Sequence, residues 1–387
     1  MKERLAEIVN SEIQAGNIAG ASICIIKDDK EIYYNDFGYA DMEKKIPMKR
    51  DTIIRLYSMT KPVTAAAAML LFERGIIDLY EPVSNYLPSF KKQMVSVNDT
   101  LVPVEREVTI RDLLNMTSGI VYPGDNTVAE RSMGAVFESY ISNASKGQYR
   151  TTYEYCNRMG ECPLAFQPGE QWLYGASADV LGAVIEVASG KKFGEFLKEE
   201  LFDPLGMVDT DFYVPADKVN RFAQNYIFDE KQKKLVPYEG DNLALTDFTK
   251  KPAFEAGGAG LVSTINDYSK FALMLLNEGM YKGKRILGKK TVRFMRTPQL
   301  TDAQQKSFNW DSIRGYSYGN LMRILTDKAK AATNASTYEY GWDGWTGNYF
   351  TIDPEEKLIF LYFIQRCNSG TTEATRKLRA ITYGMIH

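Results

Sequence analysis

The chain has 387 residues, a formal net charge of −2, and 44% apolar and 25% charged residues, which leaves room for two domains, or one large core with an insertion, of ordinary globular composition. The near-neutral charge gives no electrostatic reason to expect nucleic acid or an anionic membrane as a partner. The longest apolar runs, such as residues 65–72, fall far short of the roughly 20 residues that span a bilayer.

The first sixteen residues, MKERLAEIVNSEIQAG, alternate charged and apolar positions like an amphipathic helix. They lack the apolar core of a signal peptide, which predicts a cytoplasmic protein. Residues 20–27 (GASICIIK) and 31–38 (EIYYNDFG) read as strands, and the Lys-Asp-Asp-Lys turn between them predicts a hairpin. Residues 58–75 read as a helix closed by glycine, and 109–116 as a short helix. Residues 120–170 are polar and aromatic with little periodicity, which predicts long loops or short helices.

Helical patterns return at 177–188 and 194–201. Residues 257–263 (GGAGLVS) form a glycine-rich turn into a strand. Residues 266–277 then carry helical spacing at Tyr268, Phe271, Ala272 and Leu275. Strands are expected at 316–325, 348–353 and 358–365, and a last helix at 371–383. Strands therefore cluster towards both ends and helices in the middle. This predicts an α/β (α+β) protein, with residues 1–77 and 245–387 forming a discontinuous sheet domain and 78–244 a mostly helical domain between its halves.

The single histidine is His387, the last residue. A chain terminus frays, so it is a poor candidate for a positioned base. That disfavours Ser-His-Asp and Cys-His chemistry and removes most histidine-based zinc sites, so neither a metal nor a cofactor is expected. Nor is there a G-x-S-x-G elbow: Gly175-Ala-Ser177-Ala-Asp179 lacks the closing glycine. Of the four cysteines, Cys24 and Cys367 lie in or beside strand-like runs and read as buried small hydrophobes. Cys156 and Cys162 stand six apart in a polar segment; a disulfide between them goes against the expected compartment.

Without histidine, a serine nucleophile needs another base. The pattern S-x-x-K occurs three times. Ser89-Phe-Lys-Lys92 follows a proline in a charged loop, and Ser189-Gly-Lys-Lys192 sits at the glycine stop of a helix. Only Ser58-Met-Thr-Lys61 opens an apolar run that must be buried. Residues i and i+3 share a helix face, so Oγ and Nζ can meet. Burial lowers a lysine pKa, as a general base requires. Spacing alone leaves a second reading open, an N-cap serine followed by a snorkelling lysine.

The segment LYSMTKPVTAAAAMLLFERGIIDLYEPV resembles the first motif of the serine beta-lactamase-like hydrolases, in the class C branch that includes penicillin-recognising enzymes and family VIII carboxylesterases. The similarity continues through VTIRDLLNMTSGI, FQPGEQWLYGASADVLGAVIEVASGKKFGEF, GGAGLVSTINDYSKFALMLLNEG, GYSYG and GWDGWTGNYFTIDP, in the family's order. The resemblance implies a beta-lactamase/transpeptidase-like fold, an antiparallel sheet flanked by helices with a mostly helical second domain. It implies Ser58 as the acylated nucleophile, Lys61 as its base partner, and Tyr174 as the second-motif tyrosine that works with Lys61. Trp342-Asp343-Gly344 falls where the third motif lies, with the backbone N–H groups of Ser58 and Trp345 as the oxyanion hole. The stretch from 121 to 166 is where this fold would place a pocket wall.

Three departures bear on the substrate. The second motif has Ala176 where Asn or Ser is usual, with Ser177 adjacent. The third motif opens with Trp342, as in the esterase branch, instead of the cation that holds a penicillin carboxylate. Its middle residue is Asp343, whose charge would repel an anionic lactam. Trp342, Asp343, Gly344, Ala176 and Ser177 are the candidate substrate contacts. The expected partner is a small-molecule ester or amide, with short-chain ester hydrolysis ahead of beta-lactam or D-amino-acid peptide hydrolysis, and a non-catalytic binding or sensor module behind both.

Overall fold

The hairpin at residues 27–30 forms with Asp28 and Asp29 both left-handed, at φ 49° and 61°. This is the two-residue turn whose twist matches that of its flanking strands. In the computed structural model, which describes residues 1–98, 100–240, 242–245 and 247–386, these strands are β1 (Gly20–Lys27) and β2 (Lys30–Asp41). They belong to an eight-stranded sheet whose other members are β3 (Ile46–Pro47), β4 (Tyr316–Gly319), β5 (Met322–Leu325), β6 (Tyr340–Asp343), β7 (Tyr349–Asp353) and β8 (Leu358–Phe363). The order is β4-β5-β6-β7-β8-β1-β2-β3, with every neighbour antiparallel. Residues from the two ends of the chain thus pair in the middle of the sheet, Ser22 opposite Phe363 and Lys27 opposite Leu358.

Helices cover both faces. On one side lie α1 (Lys2–Gln14) and the C-terminal helix Glu373–Gly384, packed on each other; on the other, helix Ile265–Leu276 lies across β7, β8 and β1. Helix α2 (Thr60–Glu73) is buried from Thr60 to Leu71, as its apolar residues on every side require. It packs against helix Ser177–Ser189, which also touches helices Ile110–Asn115 and Thr152–Met159. In chain order the remaining labels are α3 (Ile110–Asn115), α4 (Val128–Ser145), α5 (Thr152–Met159), α6 (Ser177–Ser189), α7 (Ile265–Leu276) and α8 (Glu373–Gly384).

The structure differs from the sequence expectations at residues 120–170, at 316–325 and at Tyr340–Asp343, where β6 stands in a segment with no expected strand. Residues 120–170 hold an 18-residue helix, α4, as well as α5. Each starts with a reciprocal cap, Thr127 with Glu130 and Thr151 with Glu154. Between them α4 buries Ala129, Met133, Val136, Phe137 and Tyr140 along one face. Residues 316–325 are a hairpin instead of one strand, turning at Asn320 and Leu321 with φ 49° and 61°. A leucine in that conformation gives no turn signal, since the left-handed region favours Gly, Asn and Asp.

All four cysteines are free and buried. His387 lies outside the described residues. Among the described residues, no helix is long and apolar enough to cross a membrane.

A buried ion group fixes α8 to the sheet. Glu339, just before β6, is fully buried, with Arg379 of α8 at 3.2 Å and Arg323 of β5 at 4.0 Å. Removing one member of such a group strands the others without water. Glu339→Gln should therefore lower unfolding free energy by about 3–5 kcal/mol, read as an earlier urea midpoint; a loss under about 1 kcal/mol, the range of exposed pairs, would show the group to be well solvated.

Candidate active site

Ser58 lies in a single 3₁₀ turn, Tyr57–Met59, that leads directly into α2. Lys61, on the first turn of α2, is fully buried (0% exposed), and its Nζ stands 3.2 Å from Ser58 Oγ. Nζ also donates to the Gly258 carbonyl at 2.8 Å and meets the Tyr122 hydroxyl at 3.1 Å. Among the described residues, no carboxylate pairs with it. The other two S-x-x-K lysines, Lys92 and Lys192, are exposed.

The loop at 257–261 is clamped to α2 by two threonines as well as by the amine. Thr64 donates to the Gly257 carbonyl at 2.7 Å, and Thr60 accepts from the Leu261 N–H at 3.1 Å. Its glycines are needed for close approach. A Cβ on Gly257 would lie 2.3 Å from the Ala178 carbonyl, and one on Gly258 would lie 2.8 Å from the Asp179 carboxylate. Buried Asp179 of α6 accepts the Gly258 N–H at 2.8 Å. Burial pushes its carboxyl above the usual aspartate range, and Lys61 partly counters that.

Tyr174 and Tyr122 flank the amine, with ring centroids 5.9 Å apart. Gly175 makes this juxtaposition, because a Cβ there would lie 2.0 Å from the Ile120 carbonyl. Nζ lies 4.6 Å from the centre of the Tyr174 ring, whereas the Tyr174 hydroxyl accepts from Trp342 Nε1 at 3.2 Å. The hydroxyl on Lys61 is thus that of Tyr122, a residue that sequence reasoning did not single out. Burial, reinforced by Asp179 and Tyr174, pushes the Tyr122 phenol well above its ordinary range. Its position in TSGIVY, just after the short helix of the family pattern, was the available signal.

Tyr57, the residue before Ser58, has φ 45°, a conformation costing about 1–3 kcal/mol for a bulky residue. Its ring is wedged between Trp345 and Phe248 at 5.1 and 6.0 Å, and its hydroxyl accepts from Asn225 at 3.2 Å. The third-motif segment is brought to the same place by Gly344, where a Cβ would lie 2.5 Å from the Leu56 carbonyl. Among the described residues, neither the Ser58 nor the Trp345 backbone N–H has an acceptor in the chain.

Strand alternation sends Trp342 and Asp343 to opposite faces of the sheet. Trp342 faces Tyr174. The Asp343 carboxylate accepts from the Thr371 hydroxyl at 3.1 Å; burial pushes its carboxyl upward, with Arg323 as the main opposing charge. Ala176 and Ser177 are fully buried, and the Ser177 hydroxyl is 2.8 Å from that of Ser118, so neither side chain is available at the cleft surface. A cavity of about 700 Å³, lined by Tyr140, Phe212, Phe248, Phe254 and Gly260 among others, adjoins the loop that holds Lys61.

The chain is similar to known proteins over most of its length. The profile of the family described as Beta-lactamase matches residues 5–383. Protein Rv1367c of Mycobacterium tuberculosis (strain H37Rv) is 33% identical over 374 residues, covering 93% of this chain and 89% of that protein. Esterase EstB of Burkholderia gladioli is 28% identical over 365 residues, covering 90% and 86%. The structure of EstCE1, described as a hydrolase with promiscuous acyltransferase activity, superposes with a TM-score of 0.82 over 99% of this chain and 98% of its own, at 24% identity. A lysine amine buried beside a serine at a helix start, on this sheet and with this length of match, marks the chain as a member of the Beta-lactamase family of serine hydrolases.

Proposed function

We propose that the protein hydrolyses carboxylic esters, through an acyl intermediate on Ser58. The observation that carries this reading is the 3.2 Å contact between Ser58 Oγ and a fully buried Lys61 amine that has no carboxylate partner among the described residues. An unprotonated amine there has two N–H bonds for Gly258 and Tyr122 and a lone pair for the serine proton. As Ser58 Oγ bonds to the acyl carbon, Lys61 takes the hydroxyl proton. The resulting oxyanion falls to the N–H groups of Ser58 and Trp345. Collapse breaks the bond to the leaving alcohol, whose oxygen takes the Tyr174 hydroxyl proton, and the Lys61 ammonium beside that ring returns the serine proton to the phenolate oxygen. Water then attacks the acyl-serine with the same groups acting in reverse.

The ester preference rests on the third motif. Trp342 donates its indole N–H to Tyr174 and supplies no cation for a substrate carboxylate. Asp343 lies on the face opposite Trp342, so the preference rests on the indole that stands where a cation would hold a carboxylate. The esterase among the curated relatives supports the same choice.

A short-chain nitrophenyl ester should be turned over in preference to a chromogenic cephalosporin; the reverse preference would favour amide hydrolysis. A fluorophosphonate should add one phosphonyl group by intact-protein mass, and Ser58→Ala should abolish the adduct. An unlabelled wild-type protein, or a labelled variant, would remove Ser58 from the chemistry. Lys61→Ala should slow acylation at least about a hundredfold, the scale of a general base, measured as the single-turnover burst. A rate within a few-fold of wild type would assign the base elsewhere.

The Asp343 carboxyl binds its proton more tightly in the native state than in the unfolded chain. It therefore withdraws stability as pH rises through the ordinary carboxylate range and the higher native value. Asp343→Asn should match or exceed wild-type stability at pH 7, with the difference vanishing below the ordinary aspartate range. A variant weaker at pH 7 by more than about 1 kcal/mol, roughly one pKa unit, would mean that the carboxylate is a net stabilising charge.

A further inference from the structure

We infer that Trp310 is a specificity-determining residue, the exposed face of an aromatic wall that seats a flat aromatic leaving group beside Tyr174. This rests on the esterase reading above, and extends it from the bond broken to the alcohol released.

The wall is built from Trp172, Tyr174, Phe308, Trp310, Tyr318 and Trp342. Trp310 meets Tyr174 edge-on with centroids 5.2 Å apart, and Trp172 in the same manner at 5.2 Å. Behind them, Trp342 lies 5.6 Å from Tyr174 and 5.2 Å from Tyr318. Trp172, Tyr318 and Trp342 are at most 2% exposed, whereas Trp310 is 42% exposed. It is the one indole of this stack left open to solvent, at the start of a short 3₁₀ turn (Asp311–Ile313) with no side-chain cap to maintain.

Burial of apolar surface is favourable in proportion to its area, so a half-open indole holds binding energy that a flat partner can use. Two deeply buried polar atoms of the same wall, Trp172 Nε1 and Tyr318 Oη, have no hydrogen-bond partner among the described residues. Native interiors rarely leave such atoms unmatched. The direction follows from the mechanism. Tyr174 returns the proton to the departing oxygen, so a group extending from that oxygen past Tyr174 runs over Trp310. The acyl portion remains bonded to Ser58 and does not travel there.

The test compares esters of similar leaving-group basicity. Wild type, Trp310→Ala and Trp310→Phe are assayed by acetate release from 2-naphthylmethyl acetate and ethyl acetate, and by methanol release from methyl 2-naphthylacetate. In Trp310→Ala, kcat/KM for the naphthylmethyl ester should fall about tenfold relative to ethyl acetate, the scale of one aromatic contact. The loss should appear mainly in KM, and Trp310→Phe should restore most of it. The ester with its naphthyl group on the acyl side should change no more than ethyl acetate. An equal fall for all three esters, or a fall confined to the acyl-side ester, would overturn the assignment.

A second arm does not depend on turnover. Calorimetry should show 2-naphthylmethanol binding to wild type about tenfold more tightly than to Trp310→Ala, and equal affinity or no binding would overturn the proposal. Loss of fluorophosphonate labelling in wild type would instead strike the Ser58 reading, leaving this arm to judge the wall by itself.

Discussion

A primary amine removed from water loses its hydration and has to recover it from fixed partners. Around Lys61 those partners are a carbonyl and two hydroxyls, all without formal charge. A carboxylate in their place would hold the amine as a tight ion pair and keep it from taking a proton. The local architecture follows from this choice. Gly258 must present its carbonyl to α2, so the loop needs glycines where it meets α6, and Thr60 and Thr64 grip it on either side. Asp179 makes its hydrogen bond to the Gly258 N–H and acts on the amine and on Tyr122 through its charge, without pairing with Lys61.

The nucleophile has its own constraint. Ser58 belongs to the N-terminal half of the fold, and the third-motif segment to the C-terminal half. They meet because β8 pairs with β1 in the middle of the sheet and Gly344 permits contact with Leu56. Tyr57 bears the strain of the turn that aims Ser58, and its ring is held by Trp345 and Phe248. Packing that holds a strained residue and packing that positions an N–H donor are thus the same contact. Strain of this kind persists where the surroundings over-determine it, which is common at active sites.

Elements with strong periodicity or turn chemistry were readable in the sequence. The β1–β2 hairpin, α2 and α7 appear within a few residues of the expected bounds, and burial separates Ser58-Met-Thr-Lys61 from its two solvent-exposed counterparts as the apolar run after it required. Helix α4 was missed although its cap, Thr127 with Glu130, was present, because serines, a glycine and other polar residues interrupt its apolar spacing. The turn at Asn320-Leu321 was hidden by a leucine in a glycine-like conformation. At the site, side-chain partners were the least legible. Spacing cannot reveal that Tyr174 points to Trp342 while Tyr122, fifty-two positions earlier, reaches Lys61. That pairing depends on Gly175 packing against Ile120, a contact between distant segments.

Two tyrosines around one lysine divide the tasks that a single one would otherwise perform. Tyr122 is raised well above its ordinary range by burial and so keeps its proton. It can orient the Lys61 amine by hydrogen bonding without competing for the serine proton. Tyr174 has its oxygen already engaged by the Trp342 indole, a donor with no acceptor capacity. That bond favours electron density on the phenolic oxygen as its own proton moves to a departing alkoxide. It also explains why an indole can stand where a cation stands in penicillin-recognising relatives. The indole at this position bonds to the tyrosine oxygen, and the same ring is part of the aromatic wall.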